Sequence, residues 1–133
     1  MDAQARTVIR ECTLASDQER ISFPEVIGKL TAVGLERYHA DLIRHEKVYY
    51  MPDGASEVVP CIPLVASPAE GFSAAVVEAA VHAIQRREIA YLEFCARIAA
   101  GGCVGYFVSL AGRRAIYYGR TGDSHIEWFP GAK

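Results

Sequence analysis

His39 and Asp41 are the residues in this sequence whose types and spacing could do chemistry together. Both fall on a predicted strand, where residues two apart project from the same face. An imidazole held by a carboxylate is the minimum that general acid–base catalysis needs. His45 and Tyr49 follow shortly after, so the sequence predicts a polar pocket around His39, Asp41 and Tyr49 with His45 beside it.

This polar cluster has two interpretations, and the sequence leaves both open. In the first, the pocket belongs to a small-molecule binding protein or an enzyme. In the second, the cluster is a solvent-facing sheet surface with a cross-strand hydrogen bond. The second is favoured, because no serine, cysteine or further base lies at a spacing diagnostic of nucleophilic catalysis. A role other than an enzyme is therefore favoured as well.

The sequence gives no stronger indication of a metal or cofactor site than it gives of a catalytic site. A metal site could be built from His39, Asp41, His45 and Glu46, or from these together with His125, but the four histidines contain no H-x-H or H-x-x-x-H pair. The four cysteines are widely spaced and form no C-x-x-C pair. No phosphate loop, nucleophile elbow or dinucleotide fingerprint is present. We expect no metal and no cofactor.

The composition narrows the class of protein and its partners. The chain has 133 residues, of which 51% are hydrophobic and 23% charged, with a net charge of −2. This balance argues against binding to nucleic acid or to an anionic membrane. The low-charge stretch 58–67 is too short to cross a bilayer, and residues 1–6 have no signal-peptide character. Cys12 and Cys95 fit buried free thiols, so we expect a cytoplasmic protein.

The sequence also predicts an internal duplication. At an offset of 68, positions 5–58 align with 73–126 without a gap and give 12 identities in 54 positions. Chance would give roughly three or four. The matches include two pairs of turn glycines, Gly34 with Gly102 and Gly54 with Gly122, and the doublet Tyr49-Tyr50 with Tyr117-Tyr118.

Each copy is predicted to contain two helices followed by three strands. The helices span about 2–15 and 23–33, then 73–87 and 90–100; the strands span about 36–43, 47–51 and 56–59, then 103–110, 114–118 and 124–129. The fold class is then α+β in one domain, 1–133, with a first repeat (2–60), a connector (61–72) and a second repeat (73–129). About 55 residues are too few for a comfortable separate core, so the copies should share one.

Alternation within the strands assigns their faces. The predicted core face carries Tyr38, Ala40, Leu42, Tyr50 and Val58, then Val104, Tyr106, Val108, Leu110, Ile116, Tyr118, Ile126 and Trp128. The predicted opposite face carries Arg37, His39, Asp41, Tyr49 and Glu57, then Phe107, Ser109, Tyr117, His125 and Glu127. Phe107, Tyr117 and Phe129 would form an aromatic patch of the kind that marks a protein interface.

Three sequence motifs resemble a known family. They are Arg37-Tyr38-His39-Ala40-Asp41-Leu42, Lys47-Val48-Tyr49-Tyr50-Met51-Pro52-Asp53-Gly54, and Glu19-Arg20-Ile21-Ser22-Phe23-Pro24-Glu25-Val26. Over essentially its whole length the chain resembles the YbcV-like proteins, small proteins of enterobacteria and their prophages. Some members are labelled "phage envelope protein", and the family's function is unknown. The resemblance therefore implies an origin in enterobacteria or their prophages, but it assigns no catalytic residue.

The sequence favours a non-enzymatic accessory protein that acts by protein–protein contact and forms a homodimer. The alternative is a small-molecule binding protein or enzyme that uses the pocket around His39, Asp41 and Tyr49.

Overall fold

The computed structural model describes residues 1–64 and 67–131. Two helices are followed by three strands, and the same order then occurs a second time. The elements are α1 (Ala3–Asp17), α2 (Phe23–Ala32), β1 (Arg37–Asp41), β2 (Glu46–Tyr50), β3 (Ser56–Pro60), α3 (Ala74–Gln85), α4 (Tyr91–Ala100), β4 (Cys103–Ser109), β5 (Arg114–Gly119) and β6 (Ser124–Trp128). The fold is thus α+β, as the sequence predicts.

Side-chain caps explain where three of the four helices begin. The side chains of Asp2 and Ser73 accept hydrogen bonds from first-turn N–H groups of α1 and α3. Ser22 forms a reciprocal capping box with Glu25 at the start of α2. Helix α4 begins after Ala90, which provides no side-chain hydrogen bond. The first N–H groups of α4 therefore lack the side-chain acceptor that α1, α2 and α3 have.

All six strands form one antiparallel sheet in the order β3-β2-β1-β4-β5-β6. The first three strands build one half and the last three the other, and the β1–β4 pair joins the halves at the centre. His39 lies opposite Phe107 in this pair, 68 positions further on. Arg37 lies opposite Ser109 and Asp41 opposite Gly105. The register is therefore symmetric about the His39–Phe107 pair.

The four helices cover one face of the sheet, and the core between helices and sheet draws on both halves. Its largest fully buried side chains include Tyr49, Ile9, Leu30, Ile98, Val77 and Val108. Tyrosines pair across neighbouring strands in the same way in each half. The ring centroids of Tyr38 and Tyr49 are 5.2 Å apart, and those of Tyr106 and Tyr117 are also 5.2 Å apart. Such aromatic pairs add to the stability gained from burial alone.

The predicted faces are right for β1 and β4 and wrong for the other four strands. Six residues predicted in the core lie instead on the face away from the helices: Tyr50, Val58, Ile116, Tyr118, Ile126 and Trp128. The cause is the length of the turns, because four residues separate β1 from β2 and β4 from β5. Tyr38 is thereby placed opposite Tyr49, and Tyr106 opposite Tyr117. Side chains that lie opposite each other share a face, so the first tyrosine of each doublet is buried.

Two observations bear on the expected surroundings of the protein. Within 1–64 and 67–131, no helix is long and apolar enough to cross a membrane. Cys12, Cys95 and Cys103 are buried free thiols, and Cys61 is half-buried. A cytoplasmic location stays a prediction.

Gly34 and Gly102 occupy equivalent positions, but only Gly102 is in close contact with another part of the backbone, at Gly71. The same substitution should therefore have unequal effects at the two glycines. Gly34 and Gly102 each follow the end of a helix and have positive φ angles of 79° and 84°. A Cβ on Gly102 would lie 2.1 Å from the Gly71 carbonyl oxygen, whereas one on Gly34 would meet only Met51 Cε at 3.9 Å. We expect Gly34→Ala to lower the free energy of unfolding by about 1 kcal/mol, from backbone strain alone. Gly102→Ala should lower it by about 3 kcal/mol or more, because the backbone must also move.

Urea denaturation of both variants measures this difference. Equal losses for Gly34→Ala and Gly102→Ala would contradict a packed contact between Gly102 and the connector.

Candidate functional site: the open sheet face

The sheet face opposite the helices, called the open face below, has no helix or strand of the described chain packed on it. One row of side chains crosses it through the centre of all six strands. This central row consists of Val58, Val48, His39, Phe107, Ile116 and Ile126, each opposite the next in the strand register. Val58, Phe107 and Ile126 are 54%, 43% and 45% exposed. An apolar row of this kind, rimmed by polar groups, is typical of an interaction surface.

The middle of the central row is an aromatic cluster. The rings of His39 and Phe107 are 4.5 Å apart, and Phe107 stacks on Tyr118 at 5.8 Å. His39 Nε2 and the Tyr118 hydroxyl share a hydrogen bond of 2.6 Å. Partial burial lowers the pKa of His39, although Asp41 and Glu46 act in the opposite direction. The imidazole is therefore neutral at pH 7 and fits an apolar row.

Charged residues of opposite sign lie on the two sides of the central row. On one side Arg37 stacks on Tyr50 at 4.0 Å and Arg114 on Trp128 at 5.0 Å; we call this the basic flank. On the other side Asp41 and Glu46 are paired across β1 and β2; we call this the acidic flank. Arg37 also lies 3.2 Å from Glu36, and Glu46 lies 3.2 Å from Arg44, so part of the charge on each flank is paired within the chain. The open face therefore has an apolar middle between two flanks of opposite sign.

The structure does not assemble the predicted pocket around His39, Asp41 and Tyr49. His39 and Asp41 lie on the open face, but Tyr49 faces the helices, is 1% exposed and hydrogen-bonds to Thr13 at 2.7 Å. The four-residue turn between β1 and β2 is the reason, because it turns Tyr49 inward. Burial raises the pKa of Tyr49 well above its usual value, so its hydroxyl stays neutral.

The polar groups near His39 have structural partners in the turn. Asp41 Oδ1 accepts hydrogen bonds from the N–H groups of Ile43 and Arg44, both at 2.9 Å. His45 occupies the left-handed position that ends the turn, with φ of 58°, and its Nδ1 accepts from the Leu64 N–H at 3.2 Å. These contacts hold the turn in shape, and the hydrogen bond of His39 goes to the Tyr118 hydroxyl, not to Asp41 or His45.

The three predicted interface residues lie in three different places. Phe107 is on the open face, at its centre. Tyr117 is in the core, 7% exposed, and packs on Tyr106 and edge-on against Phe94. Phe129 packs edge-on against Phe23 at 5.3 Å, past the end of β6. Phe107, Tyr117 and Phe129 therefore do not form one patch. The aromatic cluster on the open face consists instead of His39, Phe107 and Tyr118.

Ile116, Ile126 and Trp128, which lie on the open face, were assigned to the core by alternation within single strands. Ile116 and Ile126 continue the central row from Phe107, Val48 continues it from His39 on the other side, and Trp128 extends its rim. The signal that finds them is the count of turn residues, since a four-residue turn fixes which residues of two strands share a face.

The described residues contain no group of three or more histidine, cysteine, aspartate or glutamate side chains placed to hold a metal ion. His82 and His125 both contact Glu127, at 3.3 and 2.9 Å, on the helix side of the sheet. The His82–Glu127 contact links α3 to β6.

The sequence matches no family model and no curated protein. The resemblance to the YbcV-like proteins stays a prediction that rests on the three motifs quoted above.

Proposed function

We propose that this protein is a non-enzymatic accessory protein that acts by protein–protein contact, and that its first partner is a second copy of itself. The observation that supports this most is the central row, which places five apolar side chains and His39 across all six strands of the open face. Such a row exposed to water is unfavourable, because apolar surface gains free energy when it is removed from water. A role in a prophage, which the family resemblance implies, belongs to the same proposal.

The size of the open face fits a homodimer. Six strands about 4.8 Å apart, each about five residues of 3.4 Å, give a face of roughly 500 Å². Two such faces packed together bury roughly 1,000 Å² in total, near the lower limit for a specific interface. Two sheets that pack face to face in this way form a sandwich, which is a common arrangement.

The charge distribution supports one particular arrangement of the two copies. A two-fold axis that runs along the central row stacks the row of one copy on that of the other. The same rotation reverses the strand direction, so the basic flank with Arg37 and Arg114 faces the acidic flank of the second copy. Complementary charge at the rim favours this orientation over one with like charges opposed.

We also propose that the two halves arose by duplication. Four pairs of residues with positive φ are each 68 positions apart: Glu19 with Arg87, Gly34 with Gly102, His45 with Arg113, and Gly54 with Gly122. Helices α2 and α4 and strands β3 and β6 have bounds that also differ by 68. Sequences of relatives, aligned half against half at this offset, test the proposal. An identity no higher than that of unrelated sequences would count against it.

A charge placed in the central row should separate the dimer. Phe107→Glu would bury an uncompensated carboxylate at the middle of the interface, and an unpaired buried charge costs about 3 kcal/mol or more. We expect the dimer dissociation constant to rise at least about 100-fold. Val76→Glu is the matched control, because Val76 is 43% exposed, like Phe107, and lies in the first turn of α3 on the helix side of the sheet. Sedimentation equilibrium at several concentrations gives both constants.

A wild-type chain that stays monomeric at high micromolar concentration would overturn the homodimer. Equal effects of Phe107→Glu and Val76→Glu would place the interface elsewhere.

Dimer formation should weaken in acid through His39. The pKa of His39 is already lowered by partial burial, and packing a second copy on it would lower it further. A group with a lowered pKa releases protons on burial, so association is strongest above the unperturbed value of about 6.5. It is lost as the pH falls through that value toward the lowered pKa. We expect the dissociation constant to rise between about pH 7.5 and 5.5.

His39→Phe should remove this pH dependence, because it replaces the titrating imidazole opposite Phe107 with an uncharged ring. Sedimentation at both pH values measures it. A pH dependence that persists in His39→Phe would show that other groups control the association.

A further inference from the structure

The outer strand β6 directs backbone hydrogen-bonding groups out of the sheet at one edge. In an antiparallel pair, successive residues direct their N–H and C=O groups alternately toward the neighbouring strand and away from it. The Phe129 N–H donates to the Arg113 carbonyl at 2.9 Å, which fixes this alternation in β6. The residues that direct these groups away from β5 are Ser124, Ile126 and Trp128. Within the described part of the chain, β5 is the one strand paired with β6.

The opposite edge of the sheet, at β3, is protected by a proline. The Cys61 N–H donates to the His45 carbonyl at 2.7 Å, so the outward-facing positions of β3 are Ser56, Val58 and Pro60. Proline has no N–H, and edge prolines are one way in which proteins prevent strands from pairing with other chains. The equivalent position of β6, 68 residues later, holds Trp128 and keeps its N–H. The β6 edge therefore lacks the protection that the β3 edge has.

The partner that fits the β6 edge is the same edge of a second copy. Two β6 strands can lie antiparallel about a two-fold axis that is perpendicular to the sheet and passes beside Ile126. Ile126 then lies opposite Ile126 of the second copy, and Ser124 lies opposite Trp128 of the second copy. All outward N–H and C=O groups of Ser124, Ile126 and Trp128 find partners in this register.

The side chains of β6 are self-complementary in this register. On the helix side, His125 lies opposite Glu127 of the second copy, and Glu127 opposite its His125. Within each strand these two side chains already contact each other at 2.9 Å, so neighbours in the joined group are always of different kinds. A shift by two residues would place His125 opposite His125, or Glu127 opposite Glu127, and would lose hydrogen bonds. On the open face, the small Ser124 leaves room for the indole of Trp128.

This edge contact also continues the face-to-face contact proposed above. The two-fold axis along the central row keeps the direction of the row, so both β6 edges of a face-to-face dimer lie at the same end. Two such dimers that meet there form two edge contacts at once. One pair of five-residue edges is weak by itself. The second contact forms at a high effective concentration, so the two together are much stronger than one.

We infer that the β6 edge is a second surface for self-association, through which two face-to-face dimers join into a tetramer. This inference rests on the homodimer proposed above. Ile126 belongs to the central row, so the axis along the row and the axis beside Ile126 cross. Crossing two-fold axes give a closed assembly rather than a growing one. Pro60 protects the β3 edges, which remain at the two outer ends of the tetramer.

A proline at position 128 tests the edge contact. The scaffold accepts proline there, because Pro60 occupies the equivalent position of β3. Trp128→Pro removes one outward N–H from each copy, so each edge contact loses two hydrogen bonds, and we expect the dimer–tetramer dissociation constant to rise at least about 100-fold. Trp128→Val is the matched control, because it loses the same indole and keeps the N–H. It should still form tetramers in sedimentation velocity runs.

Amide hydrogen exchange of the wild-type protein tests the same contact without a substitution, so it decides the matter even if Trp128→Pro fails to fold. In the tetramer the amides of Ser124, Ile126 and Trp128 should exchange at least about tenfold more slowly than those of Ser56 and Val58, the outward amides of the β3 edge. Dilution of the protein until the tetramer dissociates should remove this difference.

The outcomes separate the edge contact from the face contact. A wild-type protein that forms dimers but no tetramers up to about 500 µM would overturn the edge contact and leave the face contact intact. Tetramers that persist in Trp128→Pro, or equally fast exchange at both edges, would also overturn it. If Trp128→Pro turns a dimer into a monomer while Phe107→Glu leaves that dimer unchanged, the edge contact stands and the face contact falls. A strictly monomeric wild-type protein would overturn both.

Discussion

The two four-residue turns at 42–45 and 110–113 are the constraint on which both faces of the sheet depend. Each turn ends in a residue with left-handed φ, His45 at 58° and Arg113 at 54°. Side chains hold each turn from within, Asp41 in the first and Ser109 in the second. A turn longer or shorter by one residue would turn β2 and β5 over. The tyrosine pairs, the central row and the inward position of Lys47 all follow from this length.

The sequence predicts the elements well because their signals are local. Ser22 with Pro24 marks the start of α2, and the glycines at 34 and 102 mark helix ends, where the structure has them. The faces of the outer strands could not be found the same way. Within β2 the pattern Lys47-Val48-Tyr49-Tyr50 puts an apolar residue on either face, so only the pairing with β1 decides between them.

The candidate sites show the same division between local and long-range information. Tyr49 and His39 lie on opposite faces because of the β1–β2 register. The sequence of β2 alone does not predict this register. A small cavity beside Lys47 joins residues from α1, β2, the connector and α4, and it could not be recognised before these elements were placed. A lysine on a strand is ordinarily assigned to solvent. Its burial depends on Tyr91, which is 44 positions away.

The pairing of β1 with β4 has a consequence for the order of synthesis. Its partners are 64 to 72 residues apart, from Asp41 with Gly105 to Arg37 with Ser109. At usual translation rates the ribosome needs roughly 3 to 15 seconds to make that length of chain. During this interval β1 has no partner on its β4 side, and an unpaired strand edge pairs readily with other strands. Neighbouring ribosomes on one messenger carry the same unpaired β1 segment at close range, so we expect exchange of β1 or β4 between nascent chains to be the main competitor of the native β1–β4 pairing.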